Sequence, residues 1–203
     1  MAKRKPPINH YDFVRDLVRG QKGEEIAIQF FREELGLTCT NLSDRNPDFD
    51  LLIDALDPKL TEGKKIVPQK LLKKIFREAF RYSRKEEITV EVKFDMAAAK
   101  YKNIFLEVIF NIEEGVPGGM FKCKADILAW IVPNAGGDSV KIYLFKRPEL
   151  LAWLFLYIFE NKDVKLKTPA ISPFTKGVAV PIKIIKESFA CVGEFNYKIK
   201  GET

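Results

Sequence analysis

The chain is 203 residues long, 46% hydrophobic and 31% charged, with a formal net charge of +6; that balance suits one globular domain with decorations, and the length is short for two independent domains. Its three cysteines, Cys39, Cys123 and Cys191, are widely separated and its single histidine is His10, which argues against a disulfide framework, a zinc site, an iron–sulfur cluster and histidine-based acid–base chemistry and fits a reducing cytoplasm. The longest apolar run, residues 150–159, is too short to span a bilayer, and the basic start Met-Ala-Lys-Arg-Lys-Pro-Pro has no apolar segment behind it, so no membrane span and no secretory signal are expected.

Residues 1–8 are basic and expected to be disordered. A short helix is expected over 11–19, stopping at Gly20. A second is expected over 24–35, opened by Lys22-Gly23-Glu24-Glu25-Ile26-Ala27, carrying Phe30, Phe31 and Leu35, and stopped by Gly36. Asn46-Pro47-Asp48-Phe49-Asp50-Leu51-Leu52-Ile53 then places two acidic residues at the entry to an apolar strand. Residues 59–87 read as a basic helical insertion. After Pro68, Leu71, Leu72, Ile75, Phe76, Ala79 and Phe80 recur at helical spacing, and Lys70, Lys73, Lys74, Arg77 and Arg81 supply a basic outer face. Such a face neutralises several phosphates of a nucleic acid, or is simply a solvated surface that keeps the helix soluble.

In the next segment Ile88, Val90, Val92 and Phe94 alternate with Thr89, Glu91, Lys93 and Asp95. A period of two places Glu91 and Lys93 side by side on one face of a strand. A carboxylate there can hold a hard divalent cation, and the neighbouring ammonium can orient a water or offset charge on a phosphate oxygen. An amphipathic strand with a solvated charged face gives the same pattern, but the acidic residues Asp48 and Asp50 upstream could add a second carboxylate from an adjacent strand. Further strands are expected around Phe105, over 125–132 and over 140–145. The segment 146–203 reads as a C-terminal decoration. Arg147-Pro148-Glu149 opens a helix through Phe159 that is apolar nearly all round, so it is buried in the core or meets another subunit. Prolines and Gly177 mark 168–180 as loop, with a strand over 178–182 and a helix over 184–189 following; Lys176 and Lys183 could touch a phosphate backbone. The alternation of helices and strands predicts an α/β domain with a central mixed sheet, and no phosphate-binding glycine loop supports ATP dependence.

An acidic residue beginning one strand and Glu-x-Lys in the next, here Asp50 and Glu91-Val92-Lys93, resembles the core motif of the PD-(D/E)XK nuclease superfamily. The literal Pro-Asp is Pro47-Asp48, but the apolar run directly after Asp50 fits the family pattern better. The resemblance covers 22–133. It includes a metal-associated Glu near the start of the preceding helix, where counting back from Gly36 favours Glu25 over Glu24. It also includes Glu107, then Pro117-Gly118-Gly119 and Lys124-Ala125-Asp126, a pattern similar to phage-encoded members, although Glu107 and Asp126 are more often structural. The resemblance implies one domain over 1–203 with a restriction-endonuclease-like core, a central mixed β-sheet flanked by helices. It further implies an Mg2+- or Mn2+-dependent DNA endonuclease hydrolysing phosphodiester bonds. Asp50, Glu91, the Val92 carbonyl, Glu25 and Asp48 would serve the metal, and Lys93 would position the attacking water. Holliday-junction-resolvase-like members suggest branched DNA as substrate, a homodimer, and a cytoplasmic location, in the host if the chain is phage-encoded. The alternatives are a restriction- or repair-type nuclease on linear DNA, a nucleic-acid binder of the same fold that has lost turnover, and an interaction module built on the aromatic helix.

Overall fold

The computed structural model describes residues 10–46, 48–54, 87–169 and 175–199. The expected basic start and the basic helix bearing Lys70, Lys73, Lys74, Arg77 and Arg81 lie outside the described residues. Helix α1, His10–Leu35, is continuous for 26 residues where the sequence predicted two helices split at Gly20. A glycine inside an exposed helical turn costs only about 1 kcal/mol relative to alanine, and burial of Ile26, Ala27, Phe30, Phe31 and Leu35 on one stripe outweighs that local penalty. Termination occurs where expected: Gly36 adopts φ 67°, a left-handed conformation that glycine accepts without strain.

Six strands form the main sheet in the order β1-β2-β3-β6-β7-β9. They are β1 (Thr38–Asn41), β2 (Leu51–Asp54), β3 (Ile88–Phe94), β6 (Ile127–Pro133), β7 (Ser139–Lys146) and β9 (Cys191–Lys198). All neighbours are antiparallel except β3 and β6. A parallel pair requires a crossover. Here it runs through α2 (Met96–Tyr101), β4 (Asn103–Asn111), β5 (Val116–Pro117) and α3 (Gly119–Lys122). Strand β4 pairs with β5 and with β8 (Lys176–Pro181) to make a second, three-stranded antiparallel sheet. The protein is therefore α/β, with a mixed sheet flanked by helices.

The main sheet separates two apolar layers. On one face α1 packs Phe30 and Phe31 over Val90, Val92, Ile127, Ala129 and Ile131. On the other, Ile104, Leu106 and Val178 of the small sheet meet Leu128, Trp130 and Phe145. Strand β6 is thus buried on both sides, which accounts for its unbroken apolar run Ile-Leu-Ala-Trp-Ile-Val.

Helix α4 (Arg147–Glu160) buries only Leu150 and Leu154 and leaves Phe155, Leu156 and Phe159 exposed, Phe159 at 84%. Its apolar composition is therefore not explained by core burial alone. Strand β8 begins inside the segment expected to be loop, and the short helix after it, α5 (Ile182–Ile185), starts two residues before the helix expected over 184–189 and overlaps only its first two residues. Strand β9 was not anticipated, because a bulge opposite Leu144 and Phe145 breaks its period of two: Val192 and Tyr197, of opposite parity, both face the α1 layer. Among the described residues no helix is long and apolar enough to cross a membrane.

Gly23 marks the point where α1 crosses β3. A Cβ there would stand 2.8 Å from Phe94 Cβ and 3.5 Å from Val92 Cγ1, whereas one at Gly20 would meet nothing within 4 Å. Gly20→Ala is expected to stabilise the protein by about 1 kcal/mol through helix propensity. Gly23→Ala is expected to lose on the order of 1 kcal/mol, because overpacking exceeds the same gain. Urea denaturation of the two variants measures the contrast, and equal stabilisation by both would contradict the close approach of α1 to β3.

Candidate functional site

The site forms where β2 leaves β3. Their ladder runs from Ile53 opposite Ile88 to Leu51 opposite Val90, and the Asp50 amide still donates to Val90 O at 3.0 Å. One step further the two backbones separate. The Val92 amide faces the vacated side and donates instead to Asp50 Oδ2 at 2.7 Å. By strand geometry the Val92 carbonyl points to that same side. On the face covered by the small sheet, the period of two brings Glu91 and Lys93 together, and Lys93 Nζ donates to Glu91 Oε1. The Glu91 side chain is 13% exposed and that of Lys93 39%, so the carboxylate is nearly enclosed while the lysine side chain is only partly covered.

A third carboxylate enters from α1, and it is Glu24 rather than the expected Glu25. Glu24 is buried and accepts hydrogen bonds from Asn41 Nδ2 at 2.9 Å and Ser43 Oγ at 2.8 Å; Glu25, one residue on, is turned to solvent. The helical period carries the reason. Glu24 shares the apolar stripe of Ala27, Phe31 and Leu35, whereas Glu25 lies on the face of Ile28, Gln29 and Arg32. Counting back from Gly36 could not separate the two; the stripe could have. Asn41 and Ser43, which hold Glu24, lie on or just after a short edge strand, β1, whose residues carry no alternating pattern.

Carboxylates of like charge crowd this corner. Burial pushes the Asp50 carboxyl up from 3.8 to about 6, and the charges of Glu91 and Glu24 add to that push while the Val92 amide and Lys93 oppose it. Burial pulls the Lys93 ammonium down, but the charge and hydrogen bond of Glu91, with Asp50 behind them, outweigh it and hold its pKa above the usual lysine value. Lys93 is therefore protonated at neutral pH. Cys123 lies within electrostatic reach of both Glu91 and Lys93; burial, reinforced by Glu91, pushes its thiol up to about 11 and keeps it neutral and unreactive.

The remaining acidic residues singled out in the sequence have structural partners. Asp48 pairs with Lys124 Nζ at 3.0 Å, in a partly exposed ion pair that joins the segment before β2 to the turn before β6. Asp126 accepts from Thr89 N at 3.0 Å and Thr89 Oγ1 at 2.8 Å, latching the starts of β3 and β6. Glu107 accepts the Gly119 amide at 3.0 Å and positions α3.

Among the described residues no three His, Cys, Asp or Glu side chains converge closely enough to hold an ion as they stand. Asp50 and Glu91 are engaged with the Val92 amide and Lys93 instead. The donor chemistry nevertheless suits a hard divalent cation: carboxylate oxygens from three elements, a backbone carbonyl beside them, and a local excess of negative charge that raises Asp50. Compared with protein-family models, curated proteins and solved structures, the chain finds no match.

The raised Asp50 pKa has a definite consequence for stability. The folded state favours the protonated carboxyl, so this group's contribution is fully favourable below about pH 4 and is lost as pH rises through about 6. Asp50→Asn keeps an acceptor for the Val92 amide and removes the charge. The variant should therefore be more stable than the wild type at pH 7 to 8, with the gap closing between pH 6 and 4. Urea denaturation across that range measures it, and a gap independent of pH would contradict the crowding of charge at Asp50.

Proposed function

We propose that the protein is a divalent-metal-dependent DNA endonuclease with a restriction-endonuclease-like core. The observation that carries this reading is the fork between β2 and β3, which gathers Asp50, Glu91 and Lys93 at one corner with Glu24 beside them. Three carboxylates with one ammonium make little sense as a stabilising cluster, since the mutual repulsion costs free energy that a neutral core would not lose. They suit a centre that receives a cation and a phosphodiester together. Asp50, Glu91, Glu24 and the Val92 carbonyl are the groups that would hold Mg2+ or Mn2+. When bound, the ion would acidify water and offset charge on the phosphate.

The chain's own residues then have distinct tasks. Lys93, protonated because of Glu91, donates to the attacking water or to a phosphate oxygen and does not act as a free-amine base. Asp50 must be ionised to serve a cation, so protonation below about pH 6 removes a ligand. Asn41 and Ser43 hold Glu24 in its orientation. Branched DNA is the substrate we favour, with linear duplex as the alternative, and a homodimer would place two such centres on a two-fold junction. The exposed Phe155, Leu156 and Phe159 of α4 offer an apolar surface for that association.

Cleavage should depend on added Mg2+ or Mn2+, and Asp50→Ala or Glu91→Ala should each lower it on the order of 100-fold or more. Lys93→Ala should lose turnover to a similar degree while retaining metal binding by calorimetry. A panel of four-way junction, flap, linear duplex and single-stranded DNA reads the substrate class as well, and full activity of both carboxylate variants would overturn the centre. Replacing Lys70, Lys73, Lys74, Arg77 and Arg81 by glutamine should weaken DNA binding and flatten its dependence on salt, since fewer counterions are released. An unchanged slope of log affinity against log salt would assign that segment to solvated surface.

A further inference from the structure

A cavity of about 700 Å3 opens at the end of β3 away from the β2 edge, between α2, α5 and strands β7 and β9. Its rim carries Lys100, Lys102, Lys141, Lys183 and Lys186 against a single glutamate, Glu194. Glu194 organises part of that rim: Lys141 Nζ donates to Glu194 Oε1 at 3.4 Å and Lys186 Nζ to Glu194 Oε2 at 3.2 Å, and the Tyr143 hydroxyl is hydrogen-bonded to the same carboxylate. Lys102 donates to the neutral carbonyl of Ala99 at 2.6 Å. Each ammonium has three donors, so these bonds leave donors over and the rim retains a clear excess of positive charge. The floor has a different character. Val132, Pro133, Pro181 and Ile182 make it apolar, with the ring of Tyr143 beside them.

A cationic rim over an apolar floor matches a ligand with an anionic end and a flat apolar body. A sugar phosphate would set hydroxyls against that floor, and inorganic phosphate would leave it empty; a nucleotide satisfies both parts, and the volume falls in the ordinary range for a site of that size. The placement relates the cavity to the carboxylate corner. Lys93, Trp130, Tyr143 and Glu194 are consecutive register partners across β3, β6, β7 and β9, so their side chains stand on one face of the sheet. Trp130 stands between Lys93 and Tyr143 in that row, its indole Nε1 donating to Asp95 Oδ2 at 3.1 Å. Two strand spacings, roughly 10 Å, separate Lys93 from Tyr143.

We propose that this lysine-rimmed cavity binds one nucleotide unit of a nucleic-acid strand, its base on the apolar floor and its phosphate on the rim, on the same face of the sheet as the carboxylate corner. Only the continuity of that strand with the carboxylate corner rests on the nuclease reading; nucleotide binding stands on the cavity itself.

The test is calorimetric titration of the full chain, without divalent metal, with thymidine 5′-monophosphate, thymidine, inorganic phosphate and a hexathymidylate. The monophosphate is expected to bind at least about ten-fold more tightly than thymidine or phosphate alone, since each of these offers half of the recognised chemistry. Hexathymidylate is expected to compete with it. Lys100→Gln with Lys183→Gln, which leaves the lysines on Glu194 intact, should weaken monophosphate binding about ten-fold with an unchanged thermal melt. Glu91→Ala should bind the monophosphate like the wild type, so loss of cleavage and loss of this site are read separately. Absence of monophosphate binding, equal binding of inorganic phosphate, or indifference to the lysine double variant would overturn the nucleotide site. Monophosphate binding that hexathymidylate cannot displace would overturn its assignment to a strand.

Discussion

One hydrogen bond, from the Val92 amide to Asp50 Oδ2, sets the arrangement of the candidate site. A strand that loses its neighbour exposes an unpaired amide, and an amide left buried without an acceptor costs about 1 to 3 kcal/mol. Asp50 supplies the acceptor at the first position where β2 no longer can. Its carboxylate is thereby drawn to the edge of β3, beside the strand that carries Glu91 and Lys93. The same bond that completes the backbone pairing therefore assembles the acidic corner.

That corner is in conflict with the stability of the fold around it. The charges of Glu91 and Glu24 both disfavour an ionised Asp50 in a partly desolvated place, and the Lys93 ammonium offsets only part of the effect. Each carboxylate is instead tied to a separate neutral or cationic donor: the Val92 amide, Lys93, and the Asn41 and Ser43 side chains. Such local penalties persist in folds where the surrounding packing overrides them, and they concentrate where charge must meet a ligand. The two-sided burial of β6 next to β3 supplies that packing here.

How far this could be read from sequence depends on whether the signal was periodic or a matter of choice between neighbours. The alternation from Ile88 to Phe94 placed Glu91 and Lys93 on one face without ambiguity, and β3 bears that out. Asp50 against Asp48 turned on the apolar run after Asp50; the structure ties Asp50 to β3 and Asp48 to Lys124. The structure turns Glu25 to solvent and buries Glu24, because a count from a helix end carries no information about rotation, whereas the stripe of Ala27, Phe31 and Leu35 does. The break expected at Gly20 failed because a local propensity of about 1 kcal/mol cannot end a helix whose next turns bury aromatic side chains. In β9 a bulge erased the period that would have announced a strand. Of these misses only the break at Gly20 is a tertiary contact overriding a local signal; the others arose where the sequence pattern could not report rotation or register.

Register links the carboxylate corner to the lysine-rimmed cavity more firmly than any contact between them. Lys93, Trp130, Tyr143 and Glu194 share one face only because β3, β6, β7 and β9 pair as they do. A slip of one residue at β3 would turn Glu91 and Lys93 into the α1 layer and Val92 out of it. The alternation of β3 itself makes that slip costly, since it would carry Glu91 and Lys93 into the apolar layer and Val90, Val92 and Phe94 out of it. A strand too apolar to take part in chemistry thus sets the distance between the two polar sites that flank it.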